Sequence, residues 1–396
     1  MNILTGFKKI TALLLAGMTV LSLAACGSSQ TQSTASDGTE GPATALSDKD
    51  ITIGVSIWST EDALGSKCKQ ILDAAAEAVG VKVKYAEHGF TAGKVAASVK
   101  DLCTEGCQGI IVCNSQDSEM TSVINTCEEN KVYAAQFMRS ISQENSSEIY
   151  KQARQSAYYI GTVHEDESAN GIKVVKMLLD KGCRDIGLIG WAEGDQAFLD
   201  RCAGIKSEIA AWNSEHPEDQ AVLSEPQYSG LTSDGGKTAA KALISADEKL
   251  DGILVAGGGG SPFDGAAAAV AEAGLTGKVF VAGTDFPDDL GDLFTSGTAV
   301  GASGGTYRDA LFAFLMVYNT LKNRYWTSKM DFYDVRVPYL NLTSADEFAE
   351  YTKYFSDALP YDASEIKSMS LLSETDMASK AALLSLDEVK SRHPSG

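Results

Sequence analysis

Short apolar runs alternate repeatedly with longer segments of helical period along this chain, and this pattern limits the folds that it can adopt. In the first half, the runs that predict strands are Ile51–Trp58, Val81–Ala86, Gly109–Cys113 and Lys131–Phe137. Between them, apolar residues recur at helical spacing over 63–80, 92–106 and 118–130. Strands and helices that alternate with these lengths predict parallel sheets covered by helices on both faces.

The same alternation restarts near residue 160 and indicates a second lobe. Its predicted strands are 158–161, 185–190, 252–256 and 278–282. We therefore expect an α/β fold of two Rossmann-like lobes with parallel sheets, joined by a hinge of three chain crossings near 159–160, 304–305 and 335–338. The expected N-terminal lobe is 50–159 plus 305–336, and the expected C-terminal lobe with its tail is 160–304 plus 337–396. Since ligands of open α/β sheets bind beyond the carboxyl ends of the strands, the interlobe cleft is the predicted site.

The N-terminus has the pattern of a secretory signal. Lys8 and Lys9 precede a short apolar stretch, and small residues precede Cys26. The run Leu23-Ala-Ala-Cys26 resembles a bacterial lipobox, so residues 1–25 are a predicted signal peptide and Cys26 a predicted lipid attachment site. The alternative is an ordinary signal peptide with a chance cysteine. Residues 26–49 are rich in Ser, Thr, Gly and Ala, which predicts a flexible linker. The lipobox resemblance implies that this linker tethers the protein to the extracytoplasmic face of the cell membrane.

The charge and cysteine content narrow the possible partners. The net charge of −20 disfavours nucleic acid, which is bound largely through basic side chains, and it disfavours membrane contact beyond the lipid anchor. Seven cysteines follow Cys26, and no histidine lies close to them in sequence, so buried free thiols are expected and a metal site is not. No cofactor is expected, and the protein is predicted to be a monomer.

Several local sequences resemble the type I periplasmic sugar-binding proteins, which are the solute receptors of ABC importers. The resemblance covers roughly residues 50–325. It rests on Gly283-Thr-Asp285-Phe with Gly297 twelve positions later, on Ile110–Asn114 with Asp117, and on Arg201-Cys-Ala-Gly204-Ile. It implies the two-lobed fold of that family, a sugar or similar small polar ligand, and delivery to a membrane permease.

The resemblance also implies ligand-binding roles for individual residues. Each of these residues can alternatively have a purely structural role. It implies that Asp285 accepts hydrogen bonds from sugar hydroxyls, although a residue between strand and helix can equally be a helix cap. It implies that Arg201 donates to ring and hydroxyl oxygens, although a helix arginine can be a surface residue. Trp58 and Asp62 follow the first strand where the family places aromatic and polar contacts, and Trp58 can alternatively be core. Gln136 falls where the family often has Asp or Asn.

This sequence departs from the ribose-binding pattern at three positions. An expected cleft asparagine falls in Gly257–Gly260, a late cleft glutamine falls at Gly305, and Phe137 stands where ribose binders have arginine. The predicted ligand-binding set is Trp58, Asp62, Gln136, Phe137, Arg201 and Asp285. The three departures argue against ribose and leave three alternatives: a less hydroxylated ligand, a larger one, or one that is not a sugar. The four glycines do not form a phosphate-binding loop, because Pro262 takes the third glycine position and no Walker lysine follows.

The predicted function is ligand capture by a substrate-binding lipoprotein of an ABC importer, with closure of the hinge over the ligand. One alternative is a ligand-sensing receptor that feeds a signalling kinase. Another is an extracellular enzyme, although the four histidines lie in no nucleophile or metal motif and neither GxSxG nor HExxH occurs. A transcription regulator would need a DNA-binding headpiece at the position that the secretory signal occupies.

Overall fold

The structure is a computed structural model that describes residues 45–91, 93–325 and 332–394. The predicted signal peptide and Cys26 lie outside the described residues, as does the predicted linker apart from residues 45–49. Within the described ranges, no helix combines the length and the apolar character needed to cross a membrane.

The described chain alternates strands and helices over most of its length. The strands are β1 (Thr52–Ile57), β2 (Lys82–Glu87), β3 (Gly109–Val112), β4 (Tyr133–Phe137), β5 (Tyr159–His164), β6 (Asp185–Gly190), β7 (Val222–Leu223), β8 (Gln227–Tyr228), β9 (Gly252–Val255), β10 (Phe280–Thr284), β11 (Ala299–Gly304), β12 (Tyr333–Arg336) and β13 (Leu340–Leu342). The α-helices are α1 (Ala63–Val79), α2 (Lys94–Thr104), α3 (Ser118–Asn130), α4 (Ser147–Gln155), α5 (Glu167–Lys181), α6 (Gln196–Glu215), α7 (Ser233–Ala246), α8 (Ser261–Glu272), α9 (Leu290–Thr295), α10 (Arg308–Leu321), α11 (Ala345–Tyr351), α12 (Ala363–Met369), α13 (Glu374–Ala382) and α14 (Leu386–Arg392).

These strands form two sheets, as the α/β prediction requires. The first sheet has the order β12-β5-β4-β3-β1-β2, and every neighbouring pair in it is parallel. The second has the order β13-β11-β10-β9-β6-β7, with β8 also paired to β6 and with β13 antiparallel to β11. Strands β3 and β9 are buried at every residue, because helices cover both faces of each sheet.

The first chain crossing differs from the predicted boundary at residue 160. Strand β5 pairs with β4 and β12 in the first sheet, so the chain leaves that sheet only after His164. Spacing identifies a strand but not the sheet in which it pairs, because pairing depends on residues distant in sequence. The chain crosses again between β11 and α10, which packs on the first sheet, and a third time between β12 and β13.

The C-terminal tail also differs from its predicted place in the second lobe. Helix α11 packs on α9 of the second lobe, but α12 packs on α1 and α13 packs on β12 and α10 of the first. A π-helical segment, Thr352–Asp357, lies between the two parts. The tail therefore contacts both lobes instead of completing one of them.

A close helix pair in the second lobe fixes the position of one predicted site residue. Helices α5 and α6 approach so closely that a Cβ added at Gly171 would lie 2.1 Å from the carbonyl oxygen of Arg201. On the opposing side, a Cβ added at Gly204 would lie 2.0 Å from the carbonyl oxygen of Ser168. Only glycine permits this approach, which brings the Arg201 side chain to the N-terminal end of α5.

Replacing Gly204 by alanine is expected to lower the free energy of unfolding by about 1–3 kcal/mol, because the new methyl group forces α5 and α6 apart. Urea unfolding measures the effect. Ser207→Ala, an exposed change on the same helix, is the control and should alter stability by less than about 0.5 kcal/mol. Equal stability of Gly204→Ala and the wild type would show that the helices do not pack this closely.

Candidate functional site

A cavity of about 640 Å³ lies between the two sheets, at the carboxyl ends of their strands. Both lobes and the crossing segments supply its lining. The residues are Trp58, Asp62, Leu64, Phe90, Cys113, Met138, Arg139, Glu165, Glu167, Trp191, Arg201, Leu231, Gly258, Gly259, Ser261, Asp285, Thr306 and Tyr339. Its mixture of aromatic and charged side chains is typical of a small-molecule site.

Four of the six predicted ligand-binding residues line this cavity: Trp58, Asp62, Arg201 and Asp285. Gln136 and Phe137 do not, and both are fully buried beneath it. Gln136 donates from Nε2 to Asn114 Oδ1 at 2.6 Å and accepts from the hydroxyl of Tyr159. Successive side chains of a strand point to opposite faces, and both faces of this sheet are covered, so neither residue reaches the cleft.

Trp58 is held in place by Asp62. The indole Nε1–H donates to Asp62 Oδ2 at 2.7 Å, and its ring stacks on Phe90 with centroids 5.4 Å apart and planes 5° apart. Asp62 Oδ1 caps α1 by accepting from the backbone N–H groups of Leu64 and Gly65. Trp58 is thus a fixed aromatic wall on the first lobe, and Asp62 is mainly the residue that positions it.

Asp285 lies at the end of β10 in a left-handed conformation, with φ of 74°. Its Oδ2 accepts from the backbone N–H of Gly259 at 2.7 Å. Its Oδ1 makes no hydrogen bond to the part of the chain that the structure describes. Burial raises the pKa of the carboxyl, and the nearby charge of Arg201 opposes that rise. Asp285 therefore offers one carboxylate oxygen to a ligand in the cleft.

Arg201 is committed to a buried network at the base of the cleft. Its Nε donates to Glu167 Oε2 at 2.5 Å, and Nη1 donates to the carbonyl oxygen of Ala256 at 2.6 Å. Its Nη2 donates at 2.7 Å to the hydroxyl of Tyr339, which itself donates to Glu167. The network joins α5, α6, the end of β9 and the third crossing.

Three ionisable residues of the cleft lining have no signal in the sequence analysis: Arg139, Glu165 and Glu167. Arg139 donates to the carbonyl oxygen of Met138 at 2.8 Å and to Asp195 Oδ2 at 3.3 Å. Its buried Nε and the buried Oε1 of Glu165 have no hydrogen-bond partner among the described residues. A ligand hydroxyl would satisfy such atoms, whose isolation otherwise costs free energy.

The second lobe also provides an aromatic wall. Trp191 lies at the end of β6, and its ring meets Phe198 edge-on with centroids 5.5 Å apart. Trp58 and Trp191 thus enclose the cleft from the first and second lobes. In the sequence, Trp191 is marked by its position directly after the predicted strand 185–190.

Glu165 in the cleft lining and Asp309 on α10 form a buried carboxyl pair at the first and second crossings. Asp309 is fully buried, and Glu165 is 2% exposed. Burial raises the pKa of Asp309 to about 7, and burial together with the charge of Asp309 raises the pKa of Glu165 well above its usual range. Two such carboxyls cannot both ionise at low cost, so they share a proton near neutral pH.

Asp309→Asn is expected to remove part of the pH dependence of stability. Between about pH 4 and 7, folded wild type retains a proton that the unfolded chain releases, so its stability falls as the pH rises. The variant lacks this loss and should gain at least about 1 kcal/mol relative to wild type between pH 5 and pH 8. Urea unfolding at both pH values measures it, with exposed Asp292→Asn as control. An identical stability difference at both pH values would contradict the shared proton.

One cluster of potential metal ligands occurs among the described residues, and it lies outside the cleft lining. Atoms of Asp362, Glu365 and His393 lie within 4.8 Å of one another. Glu365 is already occupied, because it pairs with Arg392 and accepts from the backbone N–H of Asp362. The arrangement is explained by a capping box and an ion pair.

Comparison with known proteins gives one family. The sequence profile of the periplasmic binding protein domain matches residues 53–322. No curated protein matches the chain.

Solved structures share the fold at low sequence identity. The periplasmic binding protein of the arabinose ABC transporter from Shewanella sp. ANA-3, bound to α- and β-L-arabinofuranose, is 20% identical and has a TM-score of 0.64, covering 77% of this chain and 96% of that chain. A solute-binding protein from Bacillus halodurans with bound myo-inositol is 14% identical with a TM-score of 0.62, covering 78% and 99%. One from Actinobacillus succinogenes with bound D-allose is 16% identical with a TM-score of 0.62, covering 76% and 100%.

Proposed function

This chain belongs to the periplasmic binding protein family, and on that premise we propose that it captures a neutral sugar or a similar polyhydroxy compound in the interlobe cleft. The proposed role is binding, with delivery to the permease of an ABC importer. The observation that carries the proposal is the composition of the cleft, in which two indole walls enclose charged groups that are already paired.

The charge pairing favours a neutral ligand. Arg139 is paired with Asp195, and Arg201 is paired with Glu167, so each guanidinium of the cleft already has a carboxylate partner. A ligand carboxylate or phosphate would have to compete with these partners. Sugar hydroxyls need only the remaining oxygen of Asp285 and the isolated atoms of Arg139 and Glu165, and they can both donate and accept.

The aromatic walls favour a ring-shaped ligand with apolar faces. The C–H faces of a sugar ring pack well against an indole ring, and Trp58 is fixed by both a hydrogen bond and ring stacking. The solved neighbours from Shewanella, Bacillus and Actinobacillus hold arabinofuranose, myo-inositol and allose, which are all small neutral polyols.

The proposed mechanism is closure of the lobes around the three crossings. The ligand first contacts one lobe, and hydrogen bonds from the other lobe form only when the cleft closes. If the closed state is about 1% populated without ligand, the apparent affinity is about 100-fold weaker than the intrinsic affinity. The permease would then recognise the closed form. We further propose that Cys26 carries the lipid anchor that keeps the protein at the extracytoplasmic face of the membrane.

Mass spectrometry of small molecules released from the purified protein tests the ligand class, and small-angle scattering with the identified compound tests closure. We expect a neutral sugar or polyol, together with a smaller radius of gyration at saturation. Recovery of an anionic metabolite that binds the purified protein would refute the proposed ligand class. An unchanged radius of gyration at saturation would refute the closing mechanism.

A further inference from the structure

A second cavity of about 490 Å³ adjoins the proposed sugar site. The two cavities share three lining residues, Leu64, Gly259 and Asp285. We propose that this second cavity is a subsite for a second ring, so that the protein binds disaccharides more tightly than single sugars. The inference rests on the proposed function and specifies its substrate class.

Four aromatic residues contribute to the lining of the second cavity: Phe286, Tyr307, Phe348 and Tyr351. Phe286 follows β10, and Phe348 and Tyr351 lie on α11 of the C-terminal tail. Tyr351 meets Phe286 edge-on with centroids 4.7 Å apart, and it stacks on Phe355 with planes 11° apart. Tyr351 also stacks on Phe348 with planes 22° apart, so the cluster is packed, and the parts of its rings that border the cavity can contact the C–H groups of a sugar ring.

Both lobes contribute to the second cavity, and the tail is held against the first lobe there. Lys67 on α1 donates to the carbonyl oxygen of Ser356 at 2.7 Å, and the hydroxyl of Tyr307 donates to the carbonyl oxygen of Phe355 at 2.6 Å. Lys67 is therefore engaged with the tail, which favours a neutral second unit over an anionic one. Phe348, Tyr351 and Ser356 lie beyond residue 322, where the family match ends.

The connection between the cavities is narrow. A Cβ added at Gly259 would lie 3.9 Å from Asp62 Oδ1 and 4.0 Å from Leu64 Cβ, which is ordinary van der Waals contact across the two lobes. Glycine at this position thus leaves a gap about one methyl group wide. Such a gap suits the single oxygen of a glycosidic link with one ring on each side. Asp285 borders both cavities and can accept hydrogen bonds from either unit.

Calorimetry with matched pairs of probes tests the subsite. Each pair is a methyl glycoside and a disaccharide built from glucose, galactose, xylose or arabinose, with α and β linkages both included. We expect the best disaccharide to bind at least tenfold more tightly than its methyl glycoside. We also expect Tyr351→Ala to remove that gain while the methyl glycoside keeps its affinity within twofold. That unchanged affinity is the internal control for folding.

Two further variants sharpen the test. Tyr351→Phe keeps the ring and should retain the higher affinity for the disaccharide. Phe348→Ala removes another part of the wall and should reduce that affinity advantage. The subsite is refuted, with the proposed function intact, if methyl glycosides bind and disaccharides bind no more tightly. It is also refuted if Tyr351→Ala weakens both kinds of probe equally. If no probe of either size binds, the proposed function fails together with the subsite.

Discussion

Replacing Arg201 by alanine is expected to lower the free energy of unfolding by about 3–5 kcal/mol, because it leaves a buried carboxylate without its partner. Arg201 is 6% exposed, and its three donating nitrogens reach Glu167, the carbonyl oxygen of Ala256 and Tyr339. Urea unfolding measures the loss. Ligand affinity should fall as well, because the same network positions the base of the cleft.

Lys176→Ala provides a matched control for Arg201→Ala. Lys176 pairs with Glu208 at 2.8 Å and joins the same two helices, α5 and α6, but its side chain is 48% exposed. An exposed ion pair contributes about 0–1 kcal/mol, so this variant should remain close to wild type. Similar losses of unfolding free energy in the two variants would show that burial does not make the Arg201 network more stabilising than an exposed ion pair.

Asp285→Asn is expected to weaken sugar binding by about 1.4–2.8 kcal/mol, which is roughly ten- to a hundredfold in the dissociation constant. This substitution removes the charge of the side chain and keeps its shape. Asparagine tolerates the left-handed backbone at φ of 74°, and its carbonyl oxygen can still accept from Gly259. What is lost is the charge-assisted hydrogen bond to a ligand hydroxyl.

Calorimetry with the sugar released from the purified protein measures this loss, and Asp292→Asn serves as the control. Asp292 is exposed on α9, a short distance along the chain, so its substitution removes the same charge away from the cleft lining. Unaltered affinity in Asp285→Asn would remove this carboxylate from the binding site. Equal losses in both variants would indicate a long-range effect of net charge instead of a direct contact.

The alternation of strands and helices was sufficient to predict two parallel sheets, because each element has its own periodicity. It did not place β5, whose sheet is decided by pairing with β4, a contact that local spacing does not encode. It also did not place the tail. The short helix α12 packs on α1, which lies near the start of the described chain, and α13 packs on β12. Contacts between elements so far apart in sequence leave no local pattern.

Trp58 and Asp285 directly follow strands β1 and β10, so the rule that ligands bind at the ends of strands places both at the cleft. Arg201 lies on helix α6, and only the resemblance to the sugar-binding family pointed to it. The rule did not hold for Gln136 near the end of β4, whose hydrogen bonds are taken by Asn114 and Tyr159.

Arg139 escaped prediction for a related reason. The preceding residue, Met138, has φ of 56°, and this turn redirects the chain so that Arg139 faces the cleft. A positive φ at a methionine has no clear signature in a single sequence. Glu165 follows directly after β5. Because the first crossing was predicted at 159–160, Glu165 was not expected at the end of a strand of the first sheet.

Ligand capture between the two lobes is tested by titration calorimetry of the sugar released from the protein, against wild type and a variant with both Trp58→Ala and Trp191→Ala. We expect one saturable site in wild type and an affinity at least about tenfold lower in the variant, because both stacking walls are lost. Circular dichroism should show that the variant remains folded. Undiminished affinity in a folded variant would contradict binding between these two indole rings.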